Sequence, residues 1–194
     1  MKRAVFLDRD GTIIEDDGYI SDVARIHLFP WSAEAITRLR EAGFLIVVVT
    51  NQAGVARGYF EDAFVAVAHR HLDTLLTAQG ASIDAYYYCP HHPDGVVAAY
   101  TRACDCRKPA PGMIARAALD LDIDVGGSFV VGDKWLDIEL AQRAGATGVL
   151  VRTGYGQSAE AERPAHIHPV AVVDTLLDAA SWILERSPHE SSKS

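Results

Sequence analysis

The stretch Ala4-Val5-Phe6-Leu7-Asp8-Arg9-Asp10-Gly11-Thr12 decides how this chain is read. Four apolar residues end abruptly on charge, the pattern of a buried strand that delivers a carboxylate at its carboxyl end. Two carboxylates two residues apart, just past such a strand, can both face one loop cavity. There they can share a hard divalent cation, for which Mg²⁺ is the natural choice. A carboxylate so placed can also attack phosphorus, as in an aspartyl-phosphate. Alone, the Asp-x-Asp pair is equally compatible with an acidic turn closed by Gly11.

The rest of the chain repeats the strand-then-helix alternation. Pro30 to Ala42 reads as a helix: proline at its start, apolar residues at Ala35, Ile36 and Leu39, and Gly43 as its stop. Phe44 to Val49 is apolar and β-branched, as a central parallel strand should be. A helix is expected from Glu61 to Gln79, with Phe64, Val67, Ala68, His71, Leu72 and Leu75 along its apolar side. Strands are expected at Ile83 to Tyr88, Ser128 to Val131 and Thr147 to Val151. Helices are expected at Pro111 to Leu119, Leu136 to Ala144 and Val170 to Leu184. This order predicts a Rossmann-like α/β fold, an open parallel sheet with helices on both faces. Ligands in such folds bind beyond the carboxyl ends of the strands, where Asp8, Thr50, Cys89 and Asp133 fall. Residues 1–186 are expected to form one domain and 187–194 a flexible polar tail.

Composition narrows the function. Hydrophobic residues make up 49% and charged residues 23%, and the formal net charge is -8, a balance that argues against nucleic acid as a partner. No apolar run reaches the ~18 residues of a membrane span. Met1-Lys2-Arg3 and the four apolar residues after it are too short for an export signal, so cytoplasm is the expected location; a monomer is expected as well.

The other strand ends add chemistry to the first. Thr50 can donate its hydroxyl to a phosphoryl oxygen and Asn51 an amide to the phosphate or ester side, although both also suit a turn or helix cap. Arg57, between Gly54 and Gly58, can carry a guanidinium to a second phosphate or simply face solvent. In Arg107-Lys108-Pro109, Lys108 can neutralise phosphoryl charge and Arg107 can grip an anionic group bidentately. In Gly132-Asp133-Lys134, Asp133 can complete a metal site, Gly132 allows close approach and Lys134 is a further substrate contact. Asp137 either supports that site or serves as an acidic first-turn residue of its helix.

In order and spacing, Asp8-Arg9-Asp10-Gly11-Thr12, Thr50, Lys108 and Gly132-Asp133 resemble the four motifs of the haloacid dehalogenase-like phosphatases. The resemblance implies that Asp8 is the nucleophile and that Asp10 is the general acid and later the base. It further implies that Thr50 and Lys108 stabilise the phosphoryl group. Mg²⁺ would be held by the carboxylates of Asp8 and Asp133 and the backbone carbonyl of Asp10. Between Thr12 and Pro30 there is room only for a loop, so a capless member is expected.

Cys89-Pro90-His91-His92-Pro93 and Cys104-Asp105-Cys106 supply three thiolates and an imidazole, a tetrahedral set for structural Zn²⁺. His92 competes with His91 for the imidazole place, and three free cysteines remain the plain alternative. The two segments resemble the zinc loop of the heptose-bisphosphate phosphatases, close relatives of the histidinol-phosphatase domains. By that resemblance the ligands are Cys89, His91, Cys104 and Cys106, and the substrate is a small sugar phosphate, hydrolysed at C7 of a heptose 1,7-bisphosphate. Trp135 departs from the smaller or more polar residue that the resemblance implies there.

Overall fold

A computed structural model describes residues 1–187. Six parallel strands form one sheet in the order β3-β2-β1-β4-β5-β6. They are β1 (Ala4–Leu7), β2 (Leu45–Asn51), β3 (Ala85–Cys89), β4 (Phe129–Gly132), β5 (Thr147–Val151) and β6 (Ala171–Val173). The helices are α1 (Ser32–Glu41), α2 (Asp62–Thr77), α3 (Gly112–Leu121), α4 (Trp135–Ala144), α5 (Gly156–Ala161) and α6 (Leu176–Arg186).

Strand periodicity divides the core in two. Val5 and Leu7 of β1 face one side of the sheet, where they join Ile36 and Leu39 of α1, Leu72 and Leu76 of α2, and Ala180 and Ile183 of α6. Ala4 and Phe6 face the other side, against Met113 and Ile114 of α3 and Leu140 of α4. Every residue of β1 is therefore fully buried, which accounts for its unbroken apolar run.

Two expectations need correction. Val170 to Leu184 is not one helix: Ala171–Val173 pairs with Val149–Val151 as the edge strand, and α6 begins after it. Thr175 starts that helix, accepting from the Asp178 backbone N–H at 3.2 Å while Asp178 accepts from the Thr175 N–H at 3.0 Å. This reciprocal cap is what separates strand from helix. Helix α2 is rotated relative to the expected face. Val65, Ala68, His69, Leu72 and Leu76 are buried, Val67 is exposed and His71 half-buried, because the His69 ring stacks on Tyr86 of β3 at 4.3 Å. The short helix α5 had no expectation at all. Of the tail expected at 187–194, Ser187 is buried, and 188–194 lie outside the described residues.

Strand β1 lies between β2 and β4, and the chain leaves β1 toward β2 but returns from β3 to the far side at β4. That reversal opens a crevice at the carboxyl ends of β1, β2 and β4. Among the described residues, no helix is long and apolar enough to cross a membrane.

Candidate active site

A cleft of about 310 Å³ occupies this crevice, lined by Asp8, Asp10, Thr50, Lys108 and Lys134 among others. At its floor Lys108, fully buried, sits between two carboxylates. Its Nζ lies 2.8 Å from Asp8 Oδ1 and 2.7 Å from Asp137 Oδ1, and it donates to the Val49 carbonyl at 3.0 Å. Burial works against the charge on Lys108, yet Asp137 and Asp8 outweigh it and hold the ammonium above the ordinary lysine range.

Asp137 is occupied on both oxygens. While Oδ1 meets Lys108, Oδ2 accepts from the Lys134 backbone N–H at 3.2 Å and caps α4. The side chain reaches this far because Gly132 has no Cβ; one there would fall 2.3 Å from Asp137 Cγ. Asp137 thus orients Lys108 and starts the helix.

Asp133 differs. Its Oδ2 accepts from the Tyr155 N–H at 2.8 Å, but Oδ1 is buried with no partner among the described residues. Burial first, and then the nearby Asp8 charge, push its carboxyl up to about 8. Gly11, at φ +84°, fits against it only as glycine, since a Cβ would lie 2.3 Å from Asp133 Oδ2. Oxygens of Asp8, Asp133 and Asp137 lie within 4.8 Å of one another. A buried, unpartnered carboxylate oxygen beside a second carboxylate is the donor set that suits a hard dication. Asp10 could join only through its backbone, because its carboxylate turns the other way. It receives Arg9 Nη2 at 3.0 Å and Gln52 Nε2 at 2.9 Å.

The rim residues sort less simply. Arg107 lines the cleft, with Nη1 donating to the His91 carbonyl at 3.4 Å. Asn51 also lines it, but its amide is engaged with the Lys108 backbone, accepting from N–H at 3.0 Å and donating to the carbonyl at 3.2 Å. It straps the Lys108 loop to the end of β2. Arg57 does not line the cleft: its Nη2 lies 3.2 Å from His92 Nε2, turned toward the cysteine-rich loop. Lys134 stays at the cleft wall, 2.9 Å from Asp16 Oδ2 and over the Tyr155 ring. Trp135 points away, its indole N–H bonded to the Ala159 carbonyl of α5 at 2.6 Å. Its bulk is absorbed by that packing.

Sequence reasoning missed Asp16, Tyr19 and Gln52, all lining the cleft, and the Tyr155 N–H that holds Asp133. The acidic turn Asp16-Asp17-Gly18 was visible in the sequence; a backbone donor some twenty residues after Asp133 had no signal.

The cysteine cluster forms as the sequence suggests. The sulfurs of Cys89, Cys104 and Cys106 are 3.2 to 3.5 Å apart, and His91 Nδ1 lies 3.3 Å from Cys106 Sγ and 3.7 Å from Cys89 Sγ. Ligands at Zn–S bond lengths make a tetrahedron with edges of about 3.8 Å; these four atoms are gathered somewhat closer than that, as a cluster able to hold a metal ion. His92 is engaged elsewhere, accepting from the Asp94 N–H at Nδ1 and facing Arg57.

The HAD-hydrolase-like family profile matches residues 105–179, across the Lys108 and Asp133 segments. A D-glycero-beta-D-manno-heptose-1,7-bisphosphate 7-phosphatase of Photorhabdus laumondii is 42% identical over 176 residues, covering 90% of this chain and 92% of that one. The chain belongs to the haloacid dehalogenase-like phosphatases. The enzyme of the same name from Escherichia coli K12 is 44% identical, covering 84% of this chain and 85% of its own. Among solved structures, D,D-heptose 1,7-bisphosphate phosphatase of B. bronchiseptica, complexed with magnesium and phosphate, superimposes with a TM-score of 0.84 at 34% identity. That match covers 95% of this chain and 99% of the other.

Proposed function

We propose that this protein hydrolyses the C7 phosphate of D-glycero-D-manno-heptose 1,7-bisphosphate through an aspartyl-phosphate on Asp8, releasing heptose 1-phosphate and inorganic phosphate. The observation that carries the reading is Asp8 itself: a carboxylate at the end of β1, held 2.8 Å from a buried ammonium at the floor of an open cleft. Relatives above 40% identity over most of the chain bear the name of that activity.

The steps follow from the charges. An oxygen of Asp8 attacks phosphorus as the bond to the sugar oxygen breaks, and Asp10 supplies the proton that the leaving alkoxide takes. Water then attacks the acyl phosphate, Asp10 accepts its proton, and phosphate departs with Asp8 regenerated. Lys108 offsets the negative charge of the entering phosphoryl group, while Asn51 and Asp137 fix its backbone and ammonium. Thr50 donates its hydroxyl to a phosphoryl oxygen. Mg²⁺, bound by the carboxylates of Asp8 and Asp133 and the carbonyl of Asp10, would supply further neutralisation of phosphoryl charge.

At the rim, Arg107 anchors the distal C1 phosphate, with Lys134 across the cleft. Arg57 serves the cysteine-rich loop instead, and that loop takes a structural Zn²⁺ on Cys89, His91, Cys104 and Cys106, which keeps Arg107 in place. Residues 1–186 act as one domain without a cap, and the loops alone select the substrate. Histidinol phosphate is the second substrate to assay, because the same chemistry would serve it.

The test is Asp8→Asn, which keeps shape and removes the nucleophile. Turnover of the bisphosphate is expected to vanish while the circular dichroism spectrum is unchanged. Retention of more than about a tenth of kcat would remove Asp8 from the role, since loss of a nucleophile costs orders of magnitude.

A further inference from the structure

Gln52, one residue past β2, belongs to none of the four motifs, yet it is 5% exposed and touches three residues of the site. Its Oε1 accepts from Arg9 Nη2 at 3.0 Å. Its Nε2 donates to Asp10 Oδ2 at 2.9 Å and to Thr50 Oγ1 at 2.9 Å. Arginine offers donors only, so the buried Arg9 decides which end of the amide is oxygen. Both Nε2 protons are then directed, one to Asp10 and one to Thr50.

Two consequences follow. The Thr50 oxygen already receives a proton from Gln52, so its own hydroxyl is a donor in search of an acceptor. Asp10 Oδ2, at 3.5 Å, lies too far to satisfy it, and the open direction is the cleft. Asp10, meanwhile, is held between Gln52 on Oδ2 and Arg9, whose Nη2 reaches Oδ1 at 3.0 Å. Its carboxylate is therefore presented in one orientation rather than sampling several.

We propose that Gln52 is the positioning residue of the acid and base step, holding Asp10 in the geometry that serves the leaving oxygen and turning the Thr50 hydroxyl toward the phosphoryl group. The proposal rests on the phosphatase reading, in which Asp10 gives a proton to the leaving group. Gln52 touches no reacting atom and acts through Asp10 and Thr50.

A departing sugar alkoxide needs that proton, whereas a nitrophenolate leaves without it. The experiment compares kcat/KM, which reports phosphoryl transfer alone, on heptose 1,7-bisphosphate and on p-nitrophenyl phosphate. The enzyme is the full chain with added Mg²⁺, as wild type, Gln52→Leu and Gln52→Glu. For the bisphosphate, both variants are expected to fall by about 10²-fold through kcat, at the lower end of what acid catalysis supplies. KM should stay within about 3-fold and the nitrophenyl ester should lose less than about 10-fold, the share owed to Thr50. In an Asp10→Asn background, Gln52→Leu should add less than about 3-fold on the bisphosphate, since a residue acting through another is not additive with its loss.

Equal fractional losses on the two substrates would overturn the proposal, as would full additivity with Asp10→Asn. Gln52→Glu is isosteric and lacks the donor, so it keeps the test open if the leucine variant fails to fold; wild-type activity in it would also overturn the idea. Failure of the phosphatase reading would look different, as a wild-type enzyme that releases no phosphate from the bisphosphate.

Discussion

Removing Asp137 should cost this protein much of its stability although Asp137 touches no substrate. Its side chain is fully buried, paired to Lys108 at 2.7 Å, and it caps α4 through the Lys134 N–H at 3.2 Å. Breaking a buried ion pair from one side costs roughly 3–5 kcal/mol, because the remaining charge stays out of water. Loss of a helix cap adds about 1 kcal/mol. Against that, Lys108 keeps Asp8 at 2.8 Å and the Val49 carbonyl at 3.0 Å, so its ammonium is not stranded. The net for Asp137→Ala is then about 3–4 kcal/mol, near the low end of the pair alone. In a chain of this size each kcal/mol moves the melting midpoint by about 2–4 °C, which predicts a fall of about 6–16 °C. Asp137→Asn should lie between, since one amide oxygen cannot accept from both Lys108 and Lys134 and the NH₂ must face a donor. Thermal melts followed by circular dichroism at fixed metal content measure both variants. A midpoint for Asp137→Ala within about 2 °C of wild type would refute the burial argument, because it would mean the pair contributes under about 1 kcal/mol.

Two further predictions concern the loops. Elemental analysis after gentle dialysis should find near one zinc per chain while magnesium is lost, with activity restored by Mg²⁺, because thiolates hold Zn²⁺ far more tightly than carboxylates hold Mg²⁺. A zinc-free preparation with full activity and an unchanged melting midpoint would dismiss the zinc assignment. Arg107→Ala should reduce kcat/KM for the bisphosphate by about 10-fold or more, chiefly through KM, and spare the 7-monophosphate. Equal losses on both substrates would instead assign Arg107 to its bond with the His91 carbonyl.

The fold was legible wherever burial wrote itself into composition. The runs at 4–7 and 45–49 are apolar because both faces of a central parallel strand are covered, so each strand and its carboxyl end, and the charged Asp8 beyond the first, could be read directly. Asp8, Asp133 and the three cysteines share this legibility, since each is a chemical type placed at a strand end or in a tight local pair; Lys108, in the loop before α3, was read from its charge and the motif resemblance. Strand β6 was not legible: three half-buried residues at a sheet edge carry no periodicity of their own and merge with the helix that follows.

Tertiary structure decided the partners. Asn51 and Arg57 have the chemistry of phosphate ligands, but a carboxamide or guanidinium takes the nearest complementary group. For Asn51 that group is the Lys108 backbone, and Arg57 turns to His92. The residues alone left His91 and His92 open and the resemblance favoured His91; the three-dimensional placement puts the His91 ring among the thiols and the His92 ring against the Asp94 N–H. Gln52 acquires its place because residues 43 and 42 positions earlier, Arg9 and Asp10, come to lie against its two amide atoms. Sequence determined which functional groups stand at the ends of the strands, because backbone pairing and burial are local in their demands. The choice of which groups face the cleft and which are spent on one another belonged to the packing of loops from distant parts of the chain, where hydrogen bonds between buried groups must all be satisfied at once.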